Sequence, residues 1–209
     1  HSLIQEAAFS LNLCPTYKTN LAEFGDLVTK KEWFGDLILA QTLKDNLAEK
    51  IPLSLISQPE LDYGTAVPLI LLTENLNQIK ITPLSYAGLG WEKHFVFGER
   101  LRREILANQK RIAVIASGDL SHCLTKDAPI GCRPAGKKFD KKFLALLSEG
   151  KFKKLAEIDP NLATEAGECG LKSALILGGI LNGSTIKPKL LSCLLYTSPS
   201  PRDLSTSRM

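Results

Sequence analysis

Apolar residues recur along this chain at two different spacings. In residues 33–49, Leu37, Ile38, Ala40, Leu43 and Leu47 fall on one side of a 3.6-residue period, which predicts an amphipathic helix. The same period predicts helices over residues 2–12, 92–108, 139–147 and 152–158. It also predicts one long helix over 162–181, ending near Asn182-Gly183. Short runs at 52–56, 79–84 and 111–116 read as buried strands, the last being the β-branched stretch Arg111-Ile112-Ala113-Val114-Ile115 with Ala116. Residues 13–26, 88–90 and 129–136 carry the Gly and Pro of loops and turns. The apolar run 66–72 contains Pro68, which opposes a central strand and suits a helix start, so a helix opening near Pro68 is expected. Helices alternating with short buried strands predict an α/β fold. The expected form is a three-layer α/β/α domain around a mostly parallel or mixed central sheet that includes 111–116, with 92–108 and 162–181 as covering helices.

At 209 residues and 44% apolar content, the chain is long enough for one domain with a substantial core. A net charge of +4 is modest, and the basic residues are dispersed in pairs such as Lys30-Lys31 and Arg102-Arg103. No basic stripe interleaves with aromatics, which argues against nucleic acid as a partner. No apolar run has membrane-spanning length, so no membrane partner is expected either. The five cysteines (Cys14, Cys123, Cys132, Cys169 and Cys193) form no C-x-x-C pair, and their number is odd. That usage suits a reduced, cytoplasmic protein better than a disulfide scaffold.

The two ends read as those of a fragment. The chain opens on His1, and its only Met is Met209. Residues 192–209 are rich in Ser and Pro and resemble translated sequencing-adapter read-through at the end of a metagenomic fragment; a disordered tail is the plainer reading. The expectation is a domain over 1–191 that lacks an N-terminal segment, and a non-native tail over 192–209 that packs on nothing.

Four polar clusters could carry chemistry: His1; Leu61-Asp62-Tyr63-Gly64-Thr65; Asp119 with His122; and Thr164-Glu165-Ala166-Gly167-Glu168-Cys169-Gly170. Asp119 and His122 follow the expected strand at 111–116, and strand carboxyl ends are where α/β proteins display functional side chains. An imidazole there can exchange protons near neutral pH, with the carboxylate orienting it. An ordinary junction with a capping Asp and a solvated His reads equally well from these residues alone. Glu165 is explained by the helix dipole. Glu168 precedes the apolar run 173–181 and needs a partner or a metal if buried. The glycines flanking Glu168-Cys169 permit close approach of another backbone. A histidine–carboxylate set without a thiolate cluster suits non-haem iron or another divalent first-row metal. His94, at a helix start, reads as structural or pocket-rim, the lysines at 137–142 as a solvated helix face, and Cys123 and Cys132 as inert thiols.

Three stretches together resemble the LigB-type superfamily, the class III extradiol ring-cleavage dioxygenases and their Memo-like relatives. They are Leu61-Asp62-Tyr63-Gly64-Thr65-Ala66-Val67-Pro68-Leu69; Ala116 through His122 with Leu124 and Asp127-Ala128-Pro129; and Glu165-Ala166-Gly167-Glu168-Cys169-Gly170 with Ser173. The resemblance is nearest to the subgroup joined to an AMMECR-type domain or encoded beside a radical-SAM protein. It implies His1 as the metal ligand ending a Ser-Pro-His motif, Glu168 as the carboxylate ligand, and His122 as the catalytic acid/base with Asp119 beside it. A further ligand histidine would lie in an earlier Pro-His motif. Tyr63 stands where ring-cleaving members usually carry a second active-site histidine, and its phenol can donate a hydrogen bond. Cys169 matches the metal-binding cysteine of Memo-like members, so the third ligand is Glu168 or Cys169.

Two functions follow from the resemblance. The first is an Fe(II) dioxygenase acting on a small catecholic or related aromatic substrate with O2. The alternative is a Memo-like metal-binding protein without ring cleavage, working with an AMMECR-type domain and a radical-SAM partner, for which another divalent metal or copper is open. A structural relative with a decayed site is the weaker third reading. Self-association is compatible with all three.

Overall fold

The computed structural model describes residues 4–128 and 130–191. Within them the chain forms two compact units, residues 4–89 and 90–191. His1 and the tail over 192–209 lie outside the described residues, and the expectations placed on them stay there.

The first unit holds all the named strands. Phe9–Asn12 (β1), Leu53–Ile56 (β4) and Leu84–Ser85 (β7) form a three-stranded sheet ordered β4-β1-β7. Its β1 pairs parallel to β4, from Phe9 opposite Leu53 to Asn12 opposite Ile56, and antiparallel to β7. Thr16–Thr19 (β2), Glu32–Gly35 (β3), Glu60–Leu61 (β5) and Lys80–Ile81 (β6) form a second sheet ordered β5-β2-β3-β6, again mixed. The chain is therefore α/β with mixed sheets, its strands divided between two small sheets.

Two α-helices and a short 3-10 turn at Ala22–Phe24 complete this unit among the described residues. Leu37–Leu47 (α1) starts later than the periodicity suggests, because Trp33 and Phe34 enter β3 and Asp36 caps the helix by accepting the Leu39 N–H at 3.1 Å. Ala40, Leu43 and Leu47 are buried as the period requires, while Leu37 and Ile38 remain exposed. Tyr63–Thr73 (α2) opens well before Pro68, because Asp62 accepts the Thr65 N–H at 2.9 Å and sets the first turn. The helix expected over 2–12 is instead β1, and the loop expected over 13–26 contains β2. All four residues of β1 are buried. A strand covered on both faces has no one-sided pattern, and a short apolar run is then ambiguous between helix and strand.

The second unit is helical: Trp91–Ala107 (α3), Pro134–Ser148 (α4), Pro160–Ala166 (α5) and Leu171–Leu181 (α6), with a 3-10 turn at Phe152–Glu157. The strand expected over 111–116 does not form; the segment joins no ladder among the described residues, and Val114 and Ile115 are exposed. β-branched residues favour extended backbone, but a strand exists only beside a partner, and no strand is named in this unit. The long helix expected over 162–181 breaks into α5 and α6 because Gly167 adopts φ +63, the left-handed conformation that ends a helix. No described helix is long and apolar enough to cross a membrane.

The helical core gathers Phe95, Phe139, Phe143, Leu155, Leu171 and Leu175 with smaller neighbours. Here α3 crosses α6 at glycines. A Cβ on Gly98 would lie 2.0 Å from Ile176 O, and one on Gly179 would lie 2.1 Å from Phe95 O. The obstructing atoms are backbone, so no rotamer change relieves them. Gly98→Ala should therefore destabilise the protein by about 1–3 kcal/mol through overpacking, against the roughly 1 kcal/mol that alanine gains as a better helix former. Chemical denaturation checks this, with Arg103→Ala, exposed on the same helix, expected to change stability by less than about 0.5 kcal/mol.

Candidate metal centre

The link between α5 and α6 meets the segment that follows α3. The contact is backbone on backbone: a Cβ on Gly118 would lie 2.3 Å from Gly170 Cα, and one on Gly170 would lie 2.9 Å from Asp119 O. Only glycines allow this approach. It permits the Cys169 N–H to donate to Asp119 O at 3.4 Å and the Asp119 N–H to donate to Cys169 Sγ at 3.1 Å. The His122 N–H donates to Ala166 O at 3.0 Å, tying the same segment to the end of α5.

These bonds bring three side chains together. Ligand atoms of Asp119, His122 and Cys169 all lie within 4.8 Å of one another. His122 Nε2 is 3.5 Å from Asp119 Oδ2. The Asp119 carboxylate, then the Cys169 sulfur, hold the imidazolium, and together they outweigh burial; the His122 pKa rises from 6.5 to about 10. The hydrogen bond from His122 in turn holds the Asp119 carboxyl below its ordinary range. Both side chains are partly exposed, at 38% for His122 and 62% for Asp119, so solvent screens the pair and its contribution to stability is small.

Glu168 is not part of this group. Its Oε2 accepts the Leu171 N–H at 2.6 Å, which satisfies one of the open donors at the start of α6. Burial pushes its carboxyl above the ordinary value, opposed by the Leu171 and Gly170 amides and by nearby positive charge on Lys172 and His122. Tyr63 belongs to the first unit, at the first turn of α2, where its ring meets Phe24 edge-on with centroids 4.9 Å apart. His94 is fully buried, with Nδ1 3.0 Å from Gly90 O, in the structural role expected of it. Cys14, Cys123, Cys132 and Cys169 are free thiols. Lys137, Lys138, Lys141 and Lys142 are exposed, forming a solvated face of α4.

Asp140 was missing from the candidate residues. It lies among those lysines yet is 1% exposed, and it accepts bonds from Ser121. The signal for it was available: positions 136, 139, 140 and 143 share one helical face, and an acid on the face of Phe139 and Phe143 asks for a buried partner.

The donor set suits a metal ion. Ligands bound at about 2.0–2.3 Å cannot stand more than about 4.6 Å apart, a spacing comparable to that of this cluster. One oxygen, one nitrogen and one sulfur favour iron, zinc or copper over magnesium or calcium.

Without metal, His122 should titrate near 10, and Asp119→Asn should return it toward 6.5, as followed by NMR of the imidazole. The sign of the linkage follows from the raised value: the His122 contribution to stability is complete below 6.5 and is lost as the pH rises through about 10.

Residues 1–202 match the family described as the catalytic LigB subunit of aromatic ring-opening dioxygenase. Over 132 residues, 63% of this chain, the sequence is 38% identical to the Clostridium acetobutylicum protein CA_C1420. The matched stretch spans only 28% of that relative's length. With a family match covering nearly its whole length and carrying the Asp119–His122 and Cys169 segments, the chain belongs to the LigB family.

Proposed function

We propose that this chain carries a thiol-bearing metal centre of the Memo-like branch of the LigB family, working with an AMMECR-type domain and a radical-SAM partner. The observation that supports this reading is the partition of two adjacent residues. Cys169 Sγ faces Asp119 and His122, while the Glu168 carboxylate is engaged by the Leu171 amide. Asp119, His122 and Cys169 would hold the ion. A bound metal would supply redox or Lewis-acid chemistry. His122 supplies proton chemistry: its Nε2 proton, held by Asp119 in the metal-free state, must leave before that nitrogen can ligate. The length of the Clostridium acetobutylicum relative beyond the matched stretch is compatible with a further domain.

Metal analysis of the full-length protein, reconstituted separately with iron and copper, tests this reading. Cys169→Ala should lose the metal and Glu168→Gln should retain it. Retention by Cys169→Ala with loss in Glu168→Gln would overturn the reading in favour of a carboxylate-held iron.

Ring cleavage is the second reading, favoured by the family match and by the Asp119-supported imidazolium at His122. There His122 would move protons to and from a catecholic substrate, and Fe(II) and O2 would be required. Oxygen uptake by the Fe(II)-loaded protein over a panel of catechols decides between the two. The Memo-like reading expects no uptake and no yellow ring-opened product. Under ring cleavage, His122→Ala should retain the metal and lower turnover by about 100- to 10,000-fold, the usual contribution of a general acid/base.

A further inference from the structure

Asp140 carries a buried carboxylate whose two oxygens both serve a single residue. The Ser121 N–H donates to Oδ1 at 2.9 Å, and the Ser121 hydroxyl donates to Oδ2 at 2.7 Å. Ser121 stands between Asp119 and His122, so these bonds hold the turn that presents both side chains. One helical turn before Asp140, α4 offers no side chain at all: a Cβ on Gly136 would lie 2.7 Å from Cys123 Sγ and 3.0 Å from Ser121 Oγ. Positions 136 and 140 share a face of α4. They form a seat, bare backbone followed by a carboxylate, into which residues 121–123 settle. The Arg133 N–H, donating to Cys123 O at 2.9 Å just before α4, secures the far side of the seat.

A carboxylate is a costly group to bury for the sake of loop packing, and its bonds to N–H and O–H donors are shorter and more directional than those of a neutral acceptor. The return is orientation. The Ala166 and Cys169 contacts hold the backbone of the Asp119–His122 segment from the α5–α6 side, and Asp140 holds it from the α4 side. Between them they restrict the turn's rotation, which sets whether the Asp119 carboxylate and the His122 imidazole point at Cys169. We infer that Asp140 is a positioning residue of the Asp119–His122–Cys169 centre, acting through Ser121. The inference rests on that cluster being the functional centre proposed above.

The test uses the full-length protein and three variants: Ser121→Ala, Asp140→Ala and Asp140→Asn. Co(II) is the probe, its binding followed by thiolate-to-cobalt absorbance, with melting temperature and amide hydrogen exchange measured alongside. Asp140→Asn keeps an acceptor for the Ser121 N–H and offers an amide to its hydroxyl, so it should bind Co(II) close to wild type. Ser121→Ala and Asp140→Ala should weaken Co(II) binding by about 10- to 100-fold, the usual effect of losing a residue that orients a ligand. Exchange at the Ser121 amide should accelerate in Asp140→Ala. Should Asp140→Ala fail to fold, Ser121→Ala carries the comparison. Wild-type Co(II) binding by both Ser121→Ala and Asp140→Ala would overturn the inference, as would an affinity loss in Asp140→Asn equal to that in Asp140→Ala. If the wild-type chain takes up no Co(II), the metal reading fails on its own. The Ser121 amide then decides the positioning role, and unchanged protection in Asp140→Ala would overturn it.

Discussion

The contact on which this centre depends has no side chains in it. Gly118 and Gly170 lie so close that a single Cβ on Gly118 would sit 2.3 Å from Gly170 Cα. Because the two backbones touch, Asp119 and Cys169 exchange bonds, and the sulfur comes within reach of His122. A methyl group at either position would have to separate the segments, and the three ligand atoms would separate with them. The cluster is thus a consequence of chain approach, and its side chains are carried into place by their backbones.

That approach needs firm supports on both sides. On one side, α3 and α6 cross through Gly98 and Gly179 with no room for an added carbon, which fixes α6 and the link preceding it. On the other, α4 presents Gly136 and Asp140 to the turn holding Asp119 and His122. The left-handed turn at Gly167 ends α5 early enough for Glu168 and Cys169 to leave the helical path. A site built from loops becomes precise when packed elements and buried hydrogen bonds lock its supports, and here those supports are three helices and a carboxylate.

The electrostatics of the cluster describe a competition between a proton and a cation. Asp119 and Cys169 stabilise positive charge at His122, which in the metal-free state is a proton on the imidazole. A metal ion placed among the same three groups would neutralise the same negative charge and require the imidazole to be unprotonated. Metal occupancy at such a site would therefore be linked to pH. The partial exposure of His122 and Asp119 leaves both side chains open to solvent.

Much of the helical framework and the identity of the chemical motif were legible in the sequence, because both are local. A 3.6-residue period depends only on neighbours along the chain, so α3 lies within a residue of the bounds it predicts, while α4 begins at Pro134, inside the loop expected over 129–136 and a turn before the helix expected over 139–147, because Pro134 suits a first helical turn. The Asp119–His122 spacing and the glycines around Cys169 were equally visible, and from them came the family. The strands were harder. β1 is buried throughout and shows no alternation, while residues 111–116 have strand-like composition without a partner strand. Pairing is decided by segments far away in the chain, which a local pattern does not record. Which of the neighbours Glu168 and Cys169 stands with Asp119 and His122 also belonged to the tertiary structure. The two adjoin in the chain, and the sequence determined only that both follow Gly167. The Gly167 turn and the open amide of Leu171 drew the carboxylate onto α6, and the approach of Gly118 to Gly170 left the sulfur facing His122.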